Sequence, residues 1–361
     1  MKWAIAAFGA CCLAALVATW PLMVHSTYTI PLGTEREATV PVFSLWTLWW
    51  NANRAAHGFQ GYWDAPIFHP IEGTLAFSEP QLLTGILMAP LWAANVPPAL
   101  IYNLALVAML ALNGFFTYRL ARALTVPPAP ALIAGVMAVT LPFAAKHLGV
   151  LPVLPLFGIA WTLEGLVRFG EGGSWRHAFW AAAGFTVEFL ASQQLALLFA
   201  PFAAIGGLVA LTQRRWRLRS LLVAAGAGLL VLAVVMAVAE PGRRLRAQQG
   251  FERSERTVYL LSASPHDFLS RPATAMVPVP PPSTPEQGDT AGLFPGLILL
   301  GLAVAGAVRG LRSPDKRRWI VFLLLSVLLA LLLALGLKLA VAGWRPFVSF
   351  AGELHRSRPV A

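Results

Sequence analysis

"YNLALVAMLALNGFFTYRLARAL", residues 102–124, opens long, apolar and uncharged and closes on Arg119 and Arg122. A helix needs about 20 apolar residues to cross a bilayer, and short cytoplasmic connections gather Lys and Arg. Residues 99–118 therefore read as a transmembrane helix that runs from outside to inside. That one orientation fixes how the flanking segments are placed.

The composition agrees. Hydrophobic residues make up 57% of the chain and charged residues 12%, with mean hydropathy +0.66. A soluble domain carries about 25% charged residues, so the solvent for most of this chain is lipid. The 30 glycines and 28 prolines fit that setting, because membrane helices tolerate both. A net charge of +11 would suggest nucleic acid in a soluble protein, but neither a basic face nor a nucleic-acid fold signature accompanies it. Basic loops account for the charge, and no nucleic-acid partner is expected. Cys11 and Cys12 are adjacent within an apolar run, which excludes a disulfide framework and a Cys-ligated metal site.

Toward the N-terminus, 82–96 is apolar but short. With 99–118 running inward, 82–96 should not cross. Residues 3–23 follow Lys2 and lack a clear small-x-small cleavage site, so they read as an uncleaved first span with the N-terminus inside. Toward the C-terminus the spans alternate: 129–144 out, 150–167 in, 178–192 out, 195–212 in, 220–239 out, 293–308 in and 319–341 out. The expected fold is an all-α polytopic membrane protein of about nine transmembrane helices. Its transmembrane domain covers 1–341, with a first outer loop at 24–98 carrying interfacial helices, a second outer loop at 240–292, and an outer-face tail at 342–361. The short connections "RFGEGGSWRH", "QRRWRLR" and "RGLRSPDKRRW" are basic, as cytoplasmic loops should be. "GRRLRAQQ" (242–249) conflicts with this, placing three arginines outside directly after a span. The second outer loop also holds "VPVPPPSTPEQGDT", too rich in proline for regular structure.

The first outer loop gathers most of the chemistry. "YWDAPIFHPIEGTLAFSEP" (62–80) holds Asp64, His69, Glu72 and Glu79 among aromatic side chains, and follows a helical stretch with Trp46, Trp49 and Trp50. Tryptophans at that density are expected at headgroup level, on a helix that lies on the membrane and forms one wall of a cleft open to lipid. Carboxylates beside such a wall suit activation of a hydroxyl or amide nucleophile, or a divalent metal held over phosphates. The candidates are Glu35, Glu37, Asp64, Glu72 and Glu79. Asp64 stands between Trp63 and Pro66, in apolar company. Glu79 suits a cap on the helix that starts near Pro80.

Lys146 and His147 sit at the outer end of a span, where a Lys–His step can hold a phosphate or simply reach the headgroups. Glu188 lies within a span, and an intramembrane carboxylate is a functional candidate by default. Arg253, Arg256, Tyr259, His266 and Asp267 form a further mixed cluster, whose arginines can grip a phosphate or line a solvated face. No Walker loop, HExxH, nucleophile elbow or dinucleotide fingerprint is present, so no nucleotide cofactor is expected.

The order of first span, "SLWTLWWNANRAAHG", "YWDAPIFHPIEGTLAFSEPQLLTGILMAPLW", and then a span leading to "KHLGVLPVLPLFGIAWTLEGLVRF" resembles the multi-span bacterial glycosyltransferases of the GT-C fold, in the branch sharing "W-x-x-W…fD-x-x-ifyP…tlaysEh" in the first loop. The resemblance covers about residues 1–340. It implies a sugar moved from a polyprenyl-phosphate carrier to an acceptor on the outer face of the bacterial plasma membrane, with an acidic first-loop residue as base or metal ligand. Asp64, His69, Pro70 and Glu79 match the second half of the loop motif, and His147 matches the histidine after the third full span. Relatives carry an aspartate six residues before the first tryptophan of the aromatic helix, where this chain has Val40; Glu35 and Glu37 stand close enough to substitute. The end at "FAGELHRSRPVA" resembles the start of a longer outer segment in relatives, which implies a truncated chain.

The expected site is then Glu37, Asp64 or Glu35 as base or metal ligand, with His69, Lys146, His147, Arg256 and Trp49 on the substrate and the need for a metal open. The alternative is a catalytically inactive relative that binds lipid or assists envelope assembly. Transport ranks last, because Glu188 alone supplies charge at a span.

Overall fold

The structure, a computed structural model, describes residues 2–35, 37–212, 218–250, 255–270 and 292–341. Among these residues every regular element is helical. Six helical segments are long and apolar enough to cross a membrane: 98–123, 128–146, 151–172, 193–211, 218–249 and 316–336. Three shorter apolar helices accompany them, 2–18, 82–93 and 297–311. The chain is thus an all-α, multi-pass membrane protein by the length and composition of its helices. It forms two compact units, divided after Gly250.

In the first unit α1 (Lys2–Ala18), α4 (Pro98–Ala123), α5 (Pro128–Val139) with its short continuation α6 (Pro142–Lys146), α7 (Phe157–Gly172), α8 (Trp175–Ala191), α9 (Gln193–Leu211) and α10 (Leu218–Gln249) run up and down. Two further helices, α2 (Thr39–Ala56) and α3 (Leu82–Ala93), belong to the first loop. At 12 residues, α3 rises only about 18 Å, well short of the roughly 30 Å hydrocarbon layer.

Small residues let these helices approach. A Cβ on Gly114 of α4 would lie 2.8 Å from the Gly135 carbonyl of α5 and 2.9 Å from Cys11 Sγ of α1. Cys11 is therefore a buried packing residue. The antiparallel pair α7–α8 meets the same way: a Cβ on Gly165 would lie 2.6 Å from the Ala181 backbone, and one on Gly184 would lie 2.7 Å from the Thr162 nitrogen. Close backbone approach through small residues is how membrane helices gain dispersion energy when lipid offers no hydrophobic drive.

Several helix limits differ from the sequence reading. The α4 helix does not stop at 118 but runs to Ala123, so Arg119 and Arg122 are helical residues and not loop charges. The α10 helix continues ten residues past 239, through Pro241 and "GRRLRAQQ", so the loop expected at 240–292 begins later than 240. Its last turns pack on the 3-10 turn Thr74–Phe77 of the first loop, where Leu245 is buried. The three arginines of 242–249 therefore share one end of the bundle with the first loop, because a helix carries them there.

In the second unit α11 (Glu255–Leu261), α12 (Leu297–Leu311) and α13 (Pro314–Val341) are described. α12 packs on α13, with Gly310 against Ile320, and the Ala263 N–H donates to the Ala334 carbonyl at 2.8 Å. Gly336 breaks the regular backbone of α13. The proline-rich stretch 277–290, Arg253 and the tail 342–361 lie outside the described residues.

Candidate functional site

The first loop is a folded platform at one end of the first unit. Along α2 the buried residues Ser44, Thr47, Leu48, Asn51 and Ala52 recur at helical spacing, which gives the helix an inward face. Trp50 belongs to that face, where its Nε1–H donates to the Tyr62 carbonyl at 2.9 Å. Asn51 is fully buried and binds on three sides: Nδ2 donates to the Thr47 and Pro80 carbonyls (2.8 and 2.7 Å), and Oδ1 accepts from the Tyr62 hydroxyl at 2.8 Å. Burial pushes the Tyr62 phenol well above its ordinary titration range. The three tryptophans Trp46, Trp49 and Trp50, expected together at headgroup level, differ in burial. Trp50 is 5% exposed and holds the loop together, whereas Trp49 is 39% exposed and faces outward. Two aromatics of 62–80 serve the same purpose: Tyr62 packs with Trp50, Ala65 and Leu75, flanked by Trp46 and Trp63, whereas Phe68 and Phe77 are exposed.

The carboxylates divide into committed and uncommitted groups. Asp64 is exposed rather than enclosed by its apolar neighbours, and its Oδ1 accepts the Gly73 N–H at 2.8 Å, closing the loop. Glu79 is a cap, as its position suggested, but not for the helix beginning near Pro80. It accepts from the Gln193 and Gln194 N–H groups (2.5 and 3.1 Å), the free donors at the start of α9. Burial raises its carboxyl above the ordinary range, partly offset by those two N–H groups. Glu188 does the same for α7: it is fully buried, and its Oε2 accepts the Gly158 N–H at 2.9 Å. Asp267 takes the Ser264 N–H at 2.6 Å within its own turn. By contrast the side chains of Glu35, Glu37 and Glu72 make no hydrogen bond or ion pair among the described residues, and Glu37 and Glu72 are exposed.

Lys146 and His147 are brought against the stretch that holds Glu35. The Thr34 N–H and hydroxyl both donate to the Lys146 carbonyl (3.0 and 3.1 Å). Gly33, at φ +62, lies so close that a Cβ would sit 2.6 Å from that carbonyl, so only glycine fits this contact. His147 donates its Nδ1–H to the Phe143 carbonyl at 2.8 Å and packs its ring on Phe143. Beside them, a mostly apolar cavity of about 310 Å³ opens between the end of α1 and the first loop, with Trp20, Leu22, His25, Pro31 and Leu148 on its walls.

The expected constellation is only partly assembled. Glu35, Lys146 and His147 are neighbours through their backbones. Asp64 and the exposed His69 sit on the 62–80 loop, without a hydrogen bond or ion pair to Glu35 or Glu37 among the described residues. Val40 lies in the first turn of α2 and is exposed. Arg256 is on α11 of the second unit, and its side chain is outside the described residues. No group of three or more His, Cys, Asp or Glu side chains suited to hold a metal forms among the described residues.

One cluster escaped the sequence reading. Glu164 of α7 is fully buried and accepts from Arg119 Nε (2.9 Å), Arg119 Nη2 (3.0 Å) and Arg168 Nε (2.8 Å). The signal was there: Glu164 is an intramembrane carboxylate like Glu188, with an arginine four residues on. No protein-family model, no characterised protein and no solved structure matches the chain.

Proposed function

We propose that the chain is a membrane glycosyltransferase of GT-C type, which moves a sugar from a polyprenyl-phosphate carrier to an acceptor on the outer face of a bacterial plasma membrane. The observation that carries this reading is the pair of carboxylates without a hydrogen bond or ion pair among the described residues, Glu35 and Glu37, close in sequence to Thr34, which binds the Lys146 carbonyl. A carboxylate without a structural duty is available as a base, and a cation beside it suits a phosphate leaving group, where positioning and charge stabilisation supply most of the acceleration. The apolar cavity beside Leu148 suits the first units of a lipid chain. In this reading nine helices cross, the N-terminus is cytoplasmic, and the first loop and the end of α10 face outward.

Asp64 is the weaker candidate for the base, since it already holds Gly73. That commitment, with Val40 in place of the usual aspartate, favours a second reading: an inactive relative that binds lipid. The test is transfer from a panel of synthetic polyprenyl-phosphate monosaccharides to membrane acceptors. Glu37→Gln should lower transfer at least tenfold with insertion unchanged, and Asp64→Asn should lower it less, because Asn retains the oxygen that accepts from Gly73. Full activity in both variants removes the loop from the mechanism. Native mass spectrometry that finds only bulk phospholipid on an inactive chain supports the second reading.

A further inference from the structure

We propose that the end of the bundle opposite the first loop holds the phosphate of an anionic phospholipid headgroup, on Arg119 and Arg168. This site is independent of the transferase reading. It starts from a charge imbalance: two guanidinium groups share a single carboxylate, Glu164. That carboxylate is fully buried and spent, accepting three arginine N–H bonds and a long contact from Trp180 Nε1 at 3.5 Å. Two guanidinium groups thus share one buried carboxylate while themselves about a third exposed, with the carboxylate of Glu171 exposed three residues beyond Arg168. Withdrawing guanidinium charge from water is costly unless an anion or water approaches.

The arginines are built to receive one. Their side chains are 31% and 39% exposed. Both Nη groups of Arg168 and Nη1 of Arg119 have no hydrogen-bond partner among the described residues, which leaves their donors for another acceptor. Guanidinium donors in this fork arrangement match phosphate oxygens better than a water shell does. Arg119 is held rigidly, its guanidinium 5.0 Å from the Trp180 ring and 5.5 Å from Phe116. Phe116 stacks on Trp161, which packs on Trp180, so the aromatic wall is continuous.

The location selects the ligand. The cluster lies where α4 and α7 end and α8 begins, at the mouth of three packed helices. Aromatic walls are typical of headgroup depth, and basic pockets between transmembrane helices bind anionic headgroups. Arg122 and Arg176 add positive charge at the same helix ends, Arg176 over the Trp175 ring. A lipid phosphate is presented at this depth permanently, whereas free phosphate must be captured from solution.

The test uses the full chain in nanodiscs of mixed phosphatidylcholine and phosphatidylglycerol, with retained lipid counted by native mass spectrometry. Phosphatidylglycerol should be enriched about tenfold over its bulk share, the factor that one charge-assisted hydrogen bond supplies near a surface. Arg168→Gln should return the ratio to bulk, Arg168→Lys should fall between, and Arg243→Gln at the opposite end should change nothing. Should Arg168→Gln fail to fold, the unmutated protein still decides: the enrichment must shrink in about 1 M salt, where screening reaches about 3 Å. Retained lipid at the bulk ratio, or enrichment that survives Arg168→Gln, overturns the proposal. Stabilisation by inorganic phosphate in pure phosphatidylcholine discs, without phosphatidylglycerol enrichment in the mixed ones, assigns a small-anion site and overturns the lipid assignment.

Discussion

Glu79→Ala should loosen the start of α9 without disturbing the rest of the bundle. Glu79 is the acceptor for the Gln193 and Gln194 N–H groups, two of the donors that a helix leaves unpaired at its N-terminus. Gln194 is exposed, so water replaces one bond at small cost, whereas Gln193 is partly buried and keeps most of the desolvation penalty. A lost cap costs about 0.5–2 kcal/mol and a stranded half-buried donor about 1–3 kcal/mol, so about 2 kcal/mol is expected for the pair. Hydrogen exchange by mass spectrometry in nanodiscs should then show protection at 193–196 falling about thirtyfold, with α4 and α7 unchanged. The pH dependence gives a second check with a defined sign. Burial lifts the Glu79 carboxyl above its ordinary 4.5. The folded value therefore exceeds the unfolded one, so its contribution to stability is complete below about 4.5 and is lost as pH rises through the folded value. Glu79→Gln should remove that slope. Unchanged protection at 193–196 in the alanine variant refutes the cap, and the same pH slope in the glutamine variant refutes the buried Glu79 carboxyl as its source.

The other predictions are simpler. Gly165→Leu should separate α7 from α8 and abolish a stable fold, since even a Cβ would meet Ala181 backbone at 2.6 Å, whereas Gly9→Ala, inside α1 with nothing within 4 Å, should leave thermal unfolding unchanged or raise it slightly. Glu164→Gln should cost about 1–3 kcal/mol in denaturant titration, less than the 3–5 typical of a fully buried pair, because both arginines are about a third exposed. In a chain with Cys11 and Cys12 replaced, cysteines at Glu72 and Arg122 should label with impermeant maleimide from opposite sides of the membrane; labelling from the same side contradicts the up-and-down order.

The sequence pattern made the helical membrane architecture plain, because hydropathy over about 20 residues measures a property that each segment carries alone. Helix limits were less legible: the charged ends of α4 and α10 lie beyond the expected spans, yet "YRLARA" holds no helix breaker and the helix runs through Pro241 and Gly242 at the head of "GRRLRAQQ". The arginines continue the helix because their charge can reach water or a carboxylate from a helical turn. The site was legible as a region and not as an arrangement. Asp64, Glu79 and Glu188 are all carboxylates in unusual places, and each proves to be bound to backbone N–H groups. Those bonds join residues 9, 114 and 30 positions apart, and no local pattern records them. The bond between Glu164 and Arg119, 45 positions apart, is unrecorded for the same reason, although the Glu164–Arg168 half of the cluster is local.

The two carboxylates that cap distant helices also impose a schedule on biogenesis. When α9 is synthesised, the acceptor for its first turn has already been made, 114 residues earlier. For α7 the order is reversed: its first turn is inserted with free donors and must wait for Glu188, 30 residues later. Until α8 arrives, the Gly158 N–H lacks its acceptor, so the start of α7 is completed only within the α7–α8 hairpin.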